Sequence, residues 1–380
     1  MKFLHILTPY SLKPQNIIRF INKNFNKVEH TFLILADEEY VLRNNPQLFA
    51  FENVIFTPKI NQKKFSRFKR MKFMEELFLK FDNIIWHSFL HLKGLQMLYG
   101  TYKYRNKITW IEYGKDLYDW KWKPKNIKNK VAYYLVQHIR KDCKYLGVTV
   151  ENDKEIYFKT LNQEKTIFYL PIPFNADAVD YLIKEYGKVG YIPNKEIRIL
   201  IGSDGLKYNQ HLKIIDRLQV FREEKFSCFL PMNYALPYEY GLSGTKKYAT
   251  EVIEYGNRVL NVPVIKLQQS SVQFERYFKI LNAIDIAIFD FDRPIYLEIV
   301  YFLLYLNKKI FLPADSVLYK SLVDRGVKVF DTNKIVELNY SEFIDRNGIN
   351  NKNIMKSFIA EDFIKRNWKK CFDFLSKESK

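Results

Sequence analysis

The sequence is poor in cysteine and has no long apolar run, and each shortage excludes a class of protein. Its three cysteines, Cys143, Cys228 and Cys371, lie far apart and without the paired spacing of a metal site, which excludes a disulfide scaffold and fits a reducing cytoplasm. No apolar stretch approaches the about 20 residues that a membrane-spanning helix needs. The short apolar run Phe3–Leu7 is not followed by a small-residue cleavage site, so we expect a first strand there and not a signal peptide.

Positive charge, in contrast, is abundant. The chain has 61 Lys and Arg residues against 42 Asp and Glu residues, a formal net charge of +19. This excess predicts a polyanionic partner, which is either nucleic acid, an anionic lipid surface or a phosphorylated substrate. The cations are spread over the chain and no RRM, KH, zinc-finger or helix-turn-helix signature is present, which argues against nucleic acid as the partner. A basic nucleic-acid-binding protein is kept as the non-enzyme alternative.

The order of apolar and amphipathic segments predicts an α/β fold. Short β-rich runs alternate with longer amphipathic stretches, which is typical of parallel sheets built from βα units. Because 380 residues are too many for one comfortable hydrophobic core, we expect two Rossmann-like, doubly wound domains facing a cleft, at 1–175 and 176–352, followed by a helical segment at 353–380. Doubly wound sheets bind ligands beyond the carboxyl ends of their strands, so the loops there should carry the functional residues.

The most informative loop of the second half follows the predicted strand Ile197–Ile201 and opens a helix. Glycines let a backbone approach a diphosphate, and the first amides of a helix attract negative charge. The candidate diphosphate-binding residues of this loop are Gly202, Ser203, Asp204, Gly205 and Asn209. A plain βα turn explains the same residues equally well.

Other loops at the same edge supply further candidates for binding a nucleotide. Glu298 begins a predicted helix, where a carboxylate can accept two hydrogen bonds from ribose hydroxyls, although a carboxylate at a helix start also stabilises the helix dipole without any ligand. The remaining candidates are Met232, Asn233, Tyr234, Gln268, Phe291 and Tyr296.

In the first half, aromatic residues and carboxylates are concentrated after one strand. Transfer to a hydroxyl group needs a base within hydrogen-bonding reach, and the candidate catalytic residues are Asp116, His87 and Glu112. Aromatic faces suit a sugar, so the candidate acceptor-binding residues are Tyr113, Gly114 and Tyr118. The alternative is a loop that packs its aromatic residues and solvates its charges, with His87 as a hydrogen-bonded polar group of the core.

A basic stretch with interspersed phenylalanines is predicted to form an amphipathic helix. Its cations would meet anionic head groups while its aromatic residues enter the lipid; the alternative is a helix that packs its aromatic residues on the core. The candidate membrane contacts are Lys63, Lys64, Phe65, Arg67, Phe68, Lys69 and Arg70.

Neither a metal site nor a cofactor is expected. No Asp-x-Asp motif occurs in a loop of the first half, and the sequence Asp290-Phe291-Asp292 lies late in the chain. Backbone amides and cations would then stabilise a departing diphosphate.

Three short blocks of sequence resemble one family. They are Trp110-x-x-x-Gly114-x-Asp116-Leu117-Tyr118-Asp119, Ile199-Leu200-Ile201-Gly202-Ser203-x-Gly205 with Asn209 and His211, and Pro231-Met232-x-Tyr234. They are similar to the TDP-N-acetylfucosamine:lipid II N-acetylfucosaminyltransferase family, which completes the repeat unit of enterobacterial common antigen. His87 falls where that family has a strand-end histidine. The chain departs from the family at 293–298, where a glycine-rich turn is replaced, and at Ile111, where the family has histidine.

The resemblance implies a metal-independent glycosyltransferase of the GT-B fold. The second domain would bind a TDP- or UDP-linked sugar as co-substrate, and the first would bind a polyprenyl-diphosphate-linked oligosaccharide, with the C-terminal helix returning to the first domain. It implies a peripheral protein at the cytoplasmic face of the inner membrane. The alternative enzyme is a GT-B transferase with a lipopolysaccharide, capsule or protein acceptor.

Overall fold

The structure is a computed structural model. It describes residues 1–9, 13–59, 66–89, 102–118, 127–161, 164–186, 196–232, 237–267, 274–291 and 297–378.

The strands and helices alternate along most of the chain. The strands are β1 (Phe3–Leu7), β2 (His30–Ile34), β3 (Val54–Phe56), β4 (Asn83–His87), β5 (Ile108–Ile111), β6 (Tyr145–Val148), β7 (Thr166–Tyr169), β8 (Ile197–Ile201), β9 (Phe226–Pro231), β10 (Val264–Leu267), β11 (Ile286–Ile288), β12 (Lys309–Leu312) and β13 (Phe330–Asp331). The helices are α1 (Lys13–Asn24), α2 (Glu38–Asn44), α3 (Ser66–Phe78), α4 (Lys115–Tyr118), α5 (Ile127–Asp142), α6 (Asp153–Leu161), α7 (Ala176–Tyr186), α8 (His211–Leu218), α9 (Pro237–Leu260), α10 (Phe274–Ala283), α11 (Leu297–Tyr305), α12 (Val317–Asp324), α13 (Tyr340–Ile344), α14 (Asn351–Ile359) and α15 (Glu361–Glu378).

The chain divides into two compact units, Met1–Pro173 with Glu361–Lys380, and Phe174–Ala360. In the described residues, the first unit has a parallel sheet in the order β3-β2-β1-β4-β5-β6-β7, and the second has one in the order β10-β9-β8-β11-β12-β13. Each chain path starts at a central strand, moves to one side and then returns to the other side. The switch points of the two doubly wound sheets therefore lie at the carboxyl ends of β1 and β4, and of β8 and β11.

The sheet of the first unit is covered on both faces, which explains why its central strands β1 and β4 are buried along their whole length. On one face, Leu4 and Trp86 share a core with Met74 of α3 and Ile139 of α5. On the other face lies α15, where the ring of Phe372 packs against Phe3 with centroids 5.0 Å apart.

The C-terminal segment differs from the expected single helical element at 353–380. The chain leaves the helical conformation at Ala360 (φ −58°, ψ 139°), which ends α14 in the second unit, and α15 then begins in the first unit. Trp368 of α15 donates a hydrogen bond from Nε1 to the Pro171 carbonyl over 3.1 Å. The first unit is thus assembled from two separate parts of the chain.

Candidate functional site

The turn after β8 is shaped by its own buried side chains. Gly202 adopts φ +69°, and a Cβ there would lie 2.6 Å from Nε2 of His211, so the position requires glycine. The Asp204 carboxylate accepts hydrogen bonds from the Leu206 amide over 2.8 Å and from the Tyr208 hydroxyl and Asn209 amide groups. These bonds hold the segment between the strand and α8 in one conformation.

Asn209 completes this turn from the other side. Its Oδ1 accepts hydrogen bonds from the amide and the hydroxyl of Ser203, both over 3.0 Å. Ser203, Asp204, Gly205 and Asn209 are all buried. Their side chains therefore build the turn, and a ligand would meet mainly backbone.

The beginning of α8 carries an unusual buried histidine. Gln210, the residue before the helix, adopts φ 52° and offers no side-chain acceptor to the first amides. His211 is fully buried; its Nδ1 lies 3.1 Å from the Tyr248 hydroxyl, and its Nε2 makes no hydrogen bond of normal geometry in the described part of the chain, although the backbone carbonyl of Asp204 also interacts with the ring. Burial lowers the pKa of His211 to about 3, so the ring is neutral. An unpartnered buried polar atom is costly unless a ligand satisfies it.

Cations lie around the same edge of the sheet. Asp290, which follows β11, is held by Arg217 and by Lys213, whose Nζ lies 3.1 Å from the carboxylate. Lys213 keeps 51% of its side chain exposed, and Lys207 is exposed beside the turn. His211 occurs in one of the family-like sequence blocks but was not predicted to bind a ligand, and Lys213 was not singled out. The position of both in the first turn of the helix after a glycine loop was a usable signal.

The other predicted donor-binding residues are only partly accounted for. Met232 is buried in the core at the end of β9, and Phe291 is buried against Phe289 with ring centroids 5.9 Å apart. Glu298 lies in the first turn of α11 and is half-buried. The remaining four, Asn233, Tyr234, Gln268 and Tyr296, lie outside the described residues.

Asp116 does not have the surroundings expected of a base. It is fully buried, and its carboxylate accepts three hydrogen bonds: from the Phe89 amide (3.1 Å), the Trp110 indole (2.6 Å) and the Tyr113 amide (2.9 Å). These donors come from the loop after β4, from β5 itself and from the loop after β5. In this structure Asp116 therefore orders the two loops, and its role as a base stays a prediction.

Glu112 and Tyr118 are also directed inward. Glu112 is fully buried and accepts hydrogen bonds from the amides of Gly114 (2.6 Å) and Thr149 (3.0 Å), while burial and the neighbouring Asp116 raise its pKa to about 7. The Tyr118 hydroxyl donates to buried Asp153 over 2.6 Å, and the acceptor-binding role expected for Tyr118 stays a prediction. Burial, followed by Glu112, raises the pKa of Asp153 as well.

His87 ends β4 at the switch point and uses both ring nitrogens. Its Nε2 lies 3.1 Å from Nδ1 of His5, and its Nδ1 lies 2.9 Å from the Tyr113 hydroxyl. Burial lowers the pKa of His87 to about 3, which keeps it neutral. Among the six residues predicted for catalysis and acceptor binding, Tyr113 is the one that is not buried. A half-buried tyrosine after the carboxyl end of β5 is thus hydrogen-bonded to a buried histidine.

The predicted membrane stretch is described only in part. Lys63, Lys64 and Phe65 lie outside the described residues, as do the side chains of Arg67 and Arg70. Phe68 is 69% exposed and Lys69 is exposed, whereas the later part of α3 enters the core through Met74, Leu77 and Phe78. None of the helices in the described residues combines the length and the apolar character of a membrane span.

Solved structures with the same architecture were found by comparison of folds. The chain is similar to a glycosyltransferase from Rickettsia africae (13% identity, TM-score 0.67, covering 99% of this chain and 98% of that chain). It is also similar to HepE from Anabaena in complex with UDP (11%, 0.69, 98% and 100%) and to sucrose-phosphate synthase from Thermosynechococcus elongatus (10%, 0.71, 100% and 100%). At such identities the likeness shows the fold alone, which is the predicted GT-B arrangement of two Rossmann-like domains.

Comparison with protein families is more specific. No curated protein matches the chain in a sequence search. A family model described as 4-alpha-L-fucosyltransferase glycosyl transferase group 56 matches residues 2–375. This match confirms the family resemblance of the three sequence blocks and the prediction of a glycosyltransferase. The chain therefore belongs to the 4-alpha-L-fucosyltransferase family, glycosyl transferase group 56.

Proposed function

We propose that this glycosyltransferase moves an acetamido-deoxy sugar from a TDP- or UDP-linked donor to a polyprenyl-diphosphate-linked oligosaccharide during the synthesis of a bacterial surface polysaccharide. The family match supports transfer of a deoxy sugar. The observation that carries the donor half of the proposal is the turn after β8, where a Cβ on Gly202 would clash with His211, and where the buried Nε2 of His211 makes no hydrogen bond of normal geometry within the described residues.

The donor diphosphate would bind at this turn in the second unit. The first amides of α8 and an Nε2–H of neutral His211 are hydrogen-bond donors, and Lys213 and Lys207 supply positive charge at the same edge. Such groups stabilise the charge that develops on a leaving diphosphate. HepE, which has the same fold, was crystallised with UDP, and this supports a nucleoside diphosphate as the ligand. We propose that transfer needs no resident metal or cofactor, so that EDTA would leave the rate unchanged.

The acceptor would bind to the first unit at the rim beside Tyr113. Tyr113 is the one of the six residues predicted for catalysis and acceptor binding that is not buried, and it is hydrogen-bonded to His87. Asp116 and Glu112 hold the backbone of the same loop through bonds to the amides of Tyr113 and Gly114. In this assignment His87 and Tyr113 provide the base function, and the two carboxylates are positioning residues.

A peripheral position at the cytoplasmic membrane face is supported by two observations. The net charge is +19, and α3 exposes Phe68 next to Lys69. An exposed aromatic residue among cations suits an anionic lipid surface, where each cation contributes about 1 kcal/mol. A polyprenyl-linked acceptor would be found on that surface.

The test combines nucleotide binding with transfer. Purified full-length protein is heated with TDP, UDP or GDP; a ligand present at about 100 times its dissociation constant adds about 2.7 kcal/mol to the stability of the domain that binds it. The protein is then incubated with TDP- and UDP-linked acetamido sugars and a synthetic polyprenyl-diphosphate disaccharide, and products are weighed by mass spectrometry. A mass increase of one sugar residue on the lipid is expected.

Other results would point to other acceptors or to another class. Transfer to lipopolysaccharide, capsule fragments or protein, with none to the polyprenyl lipid, would replace the proposed acceptor. Salt-sensitive binding of RNA, with no stabilisation by any nucleoside diphosphate and no transfer, would overturn the enzymatic proposal.

A further inference from the structure

Three buried histidines of the first unit form a continuous hydrogen-bonded chain. Nε2 of His87 lies 3.1 Å from Nδ1 of His5, and Nε2 of His5 lies 3.0 Å from Nδ1 of His30. At its other end, His87 meets the Tyr113 hydroxyl over 2.9 Å. The three residues come from β4, β1 and β2, so the chain depends on the strand order of the sheet and on no local sequence motif.

This histidine chain runs from one end of the strands to the other. His30 begins β2, and its neighbour in register on β1 is Phe3, which also pairs with Asn83 at the beginning of β4. His87 ends β4, four residues later, a distance of roughly 13 Å at about 3.3 Å per residue. The histidine chain therefore connects the carboxyl ends of the strands, where the acceptor is proposed to bind, with their amino ends.

The surroundings of the histidine chain are aromatic. His87 stacks on Trp368 of α15 with centroids 6.1 Å apart, and His30 lies 4.8 Å from the ring of Phe372 of the same helix. The other rings that contact the three histidines are those of Phe3, Phe25 and Phe32. The titratable groups nearby are the Tyr113 hydroxyl at one end and, next to His30 in sequence, Glu29, which lies 3.8 Å from the amino group of Met1.

His5 directs one nitrogen to each neighbouring histidine. The three rings therefore form a linear chain and do not surround a metal site. A neutral imidazole donates through one nitrogen and accepts through the other. If the Tyr113 hydroxyl donates to His87, then His87 must donate to His5, and His5 must donate to His30. The direction of every hydrogen bond is thereby set by the first, and passing one proton along the chain requires a proton to shift in every bond, which reverses all of them.

We propose that this histidine chain is a proton relay that carries the proton of the acceptor hydroxyl away from the site of transfer. The inference rests on the proposed function. The acceptor oxygen bonds to the sugar carbon while the bond from that carbon to the diphosphate breaks, and the diphosphate leaves with the electron pair. The acceptor proton passes to the Tyr113 oxygen, the Tyr113 proton to Nδ1 of His87, and the Nε2 protons of His87 and His5 to the next ring.

His30 then releases its own Nε2 proton to water, which closes the balance of protons. Burial lowers the pKa of His30 to about 4, so a proton that arrives there is given up at neutral pH and not retained. Burial, and then the neighbouring histidines, also holds the pKa of His5 well below its usual value. The relay therefore works through neutral rings and does not store a charge in the apolar interior.

The test uses two substitutions of His5, the middle ring, in the full-length protein. His5→Phe fits among the aromatic rings and interrupts the histidine chain. His5→Gln keeps hydrogen bonds to both neighbouring histidines but cannot change tautomer. We expect both to lower the single-turnover rate roughly 10- to 100-fold, within the range of general acid–base catalysis, without changing the KM for the donor or the stabilisation by nucleotide. His138 lies on α5 and does not belong to the histidine chain. His138→Phe is therefore the control and should keep full activity.

Solvent isotope measurements separate proton transfer from a structural role. In mixtures of H2O and D2O, a multi-proton relay gives wild-type single-turnover rates that curve with deuterium fraction, and both His5 variants should give a straight line. A straight line for the wild type, or full activity in His5→Gln, would overturn the relay while leaving the glycosyltransferase proposal intact. Absence of any sugar transfer by the wild type would instead overturn the proposed function, and the relay with it.

Discussion

Two loops with the same construction, one in each unit, differ in the hydrogen bonding of the histidine beside them. The turn after β8 and the loop after β5 each follow a strand near a switch point, contain a glycine with positive φ (Gly202 and Gly114) and are held by a buried carboxylate that accepts three hydrogen bonds (Asp204 and Asp116). Each unit also has a neutral buried histidine beside its loop.

The histidines mark the difference. His211 keeps an Nε2 without a hydrogen bond of normal geometry in the described residues, and exposed Lys207 and half-exposed Lys213 belong to the same turn and helix start, which suits an incoming anion. His87 has a partner on each nitrogen and is joined to other titratable groups, which suits the movement of a proton. In both units a buried carboxylate holds the strand-end loop rigid. The histidine beside each loop then determines whether the loop suits anion binding or proton transfer.

The largest effect should come from removing the carboxylate of the first loop. Asp116→Ala leaves buried donors without an acceptor, so we expect the free energy of unfolding to fall by roughly 3–5 kcal/mol. Asp37→Ala removes the exposed cap of α2 and should cost only about 1 kcal/mol. Urea denaturation measures both. A stable but inactive Asp116→Ala protein would support Asp116 as the base. Asp116 and Asp204 would then not share the role of holding their loops.

The next effect concerns the second loop. Gly202→Ala places a methyl group against His211, and we expect nucleotide affinity to fall roughly 100-fold, about 2.7 kcal/mol. Gly326→Ala is the matched control, because Gly326 also has positive φ (79°) but open space around its Cβ position. It should reproduce the backbone strain without the loss of affinity in isothermal titration. Equal affinity losses in the two variants would show that strain, and not the turn, is responsible.

A smaller effect should appear in the pH dependence of stability. The folded-state pKa of Glu112 is raised from 4.5 to about 7 by burial and by Asp116. Its contribution is therefore fully present below pH 4.5 and is lost as the pH rises towards 7, with a loss of about 3 kcal/mol. Glu112→Gln should flatten this part of the curve, whereas Glu223→Gln, at an exposed carboxylate, should not. An unchanged slope in Glu112→Gln would remove the proton-binding character assigned to the first loop.

The smallest effect lies outside both loops. Phe68→Ser should weaken binding to vesicles of anionic phospholipid by several-fold, about 1 kcal/mol, as measured by co-sedimentation. Val28→Ser, at a residue that is 86% exposed and outside the basic stretch, should have no effect. If both variants bind vesicles equally well, α3 is not the contact with lipid.

The fold was largely predictable because its strands are short apolar runs between turn residues. The predicted bounds of β1 (Phe3–Leu7) and β8 (Ile197–Ile201) agree with the structure. The break at Ala360 was not predictable, since neither glycine nor proline interrupts the amphipathic pattern there. The start of α9 at Pro237 was missed, although proline is common at the first position of a helix.

The site was predictable in position but not in detail. Strand-end loops could be found from the alternation of segments, yet the direction of each side chain depends on neighbours distant in sequence. Asp116 turns inward because the amide of Phe89 and the indole of Trp110 need an acceptor. His5 and His30 gave no signal, because each lies in an apolar strand and only the strand order brings them to His87.

The return of α15 to the first unit also has a consequence for biosynthesis. Trp368 and Phe372, which cover His87 and His30, are translated after the whole of the second unit. During synthesis the second unit can therefore finish folding while the first still lacks one face of its core. The usual order, in which the N-terminal domain folds first, would be inverted in this enzyme, and chaperones would be needed most by the half of the chain that leaves the ribosome earliest.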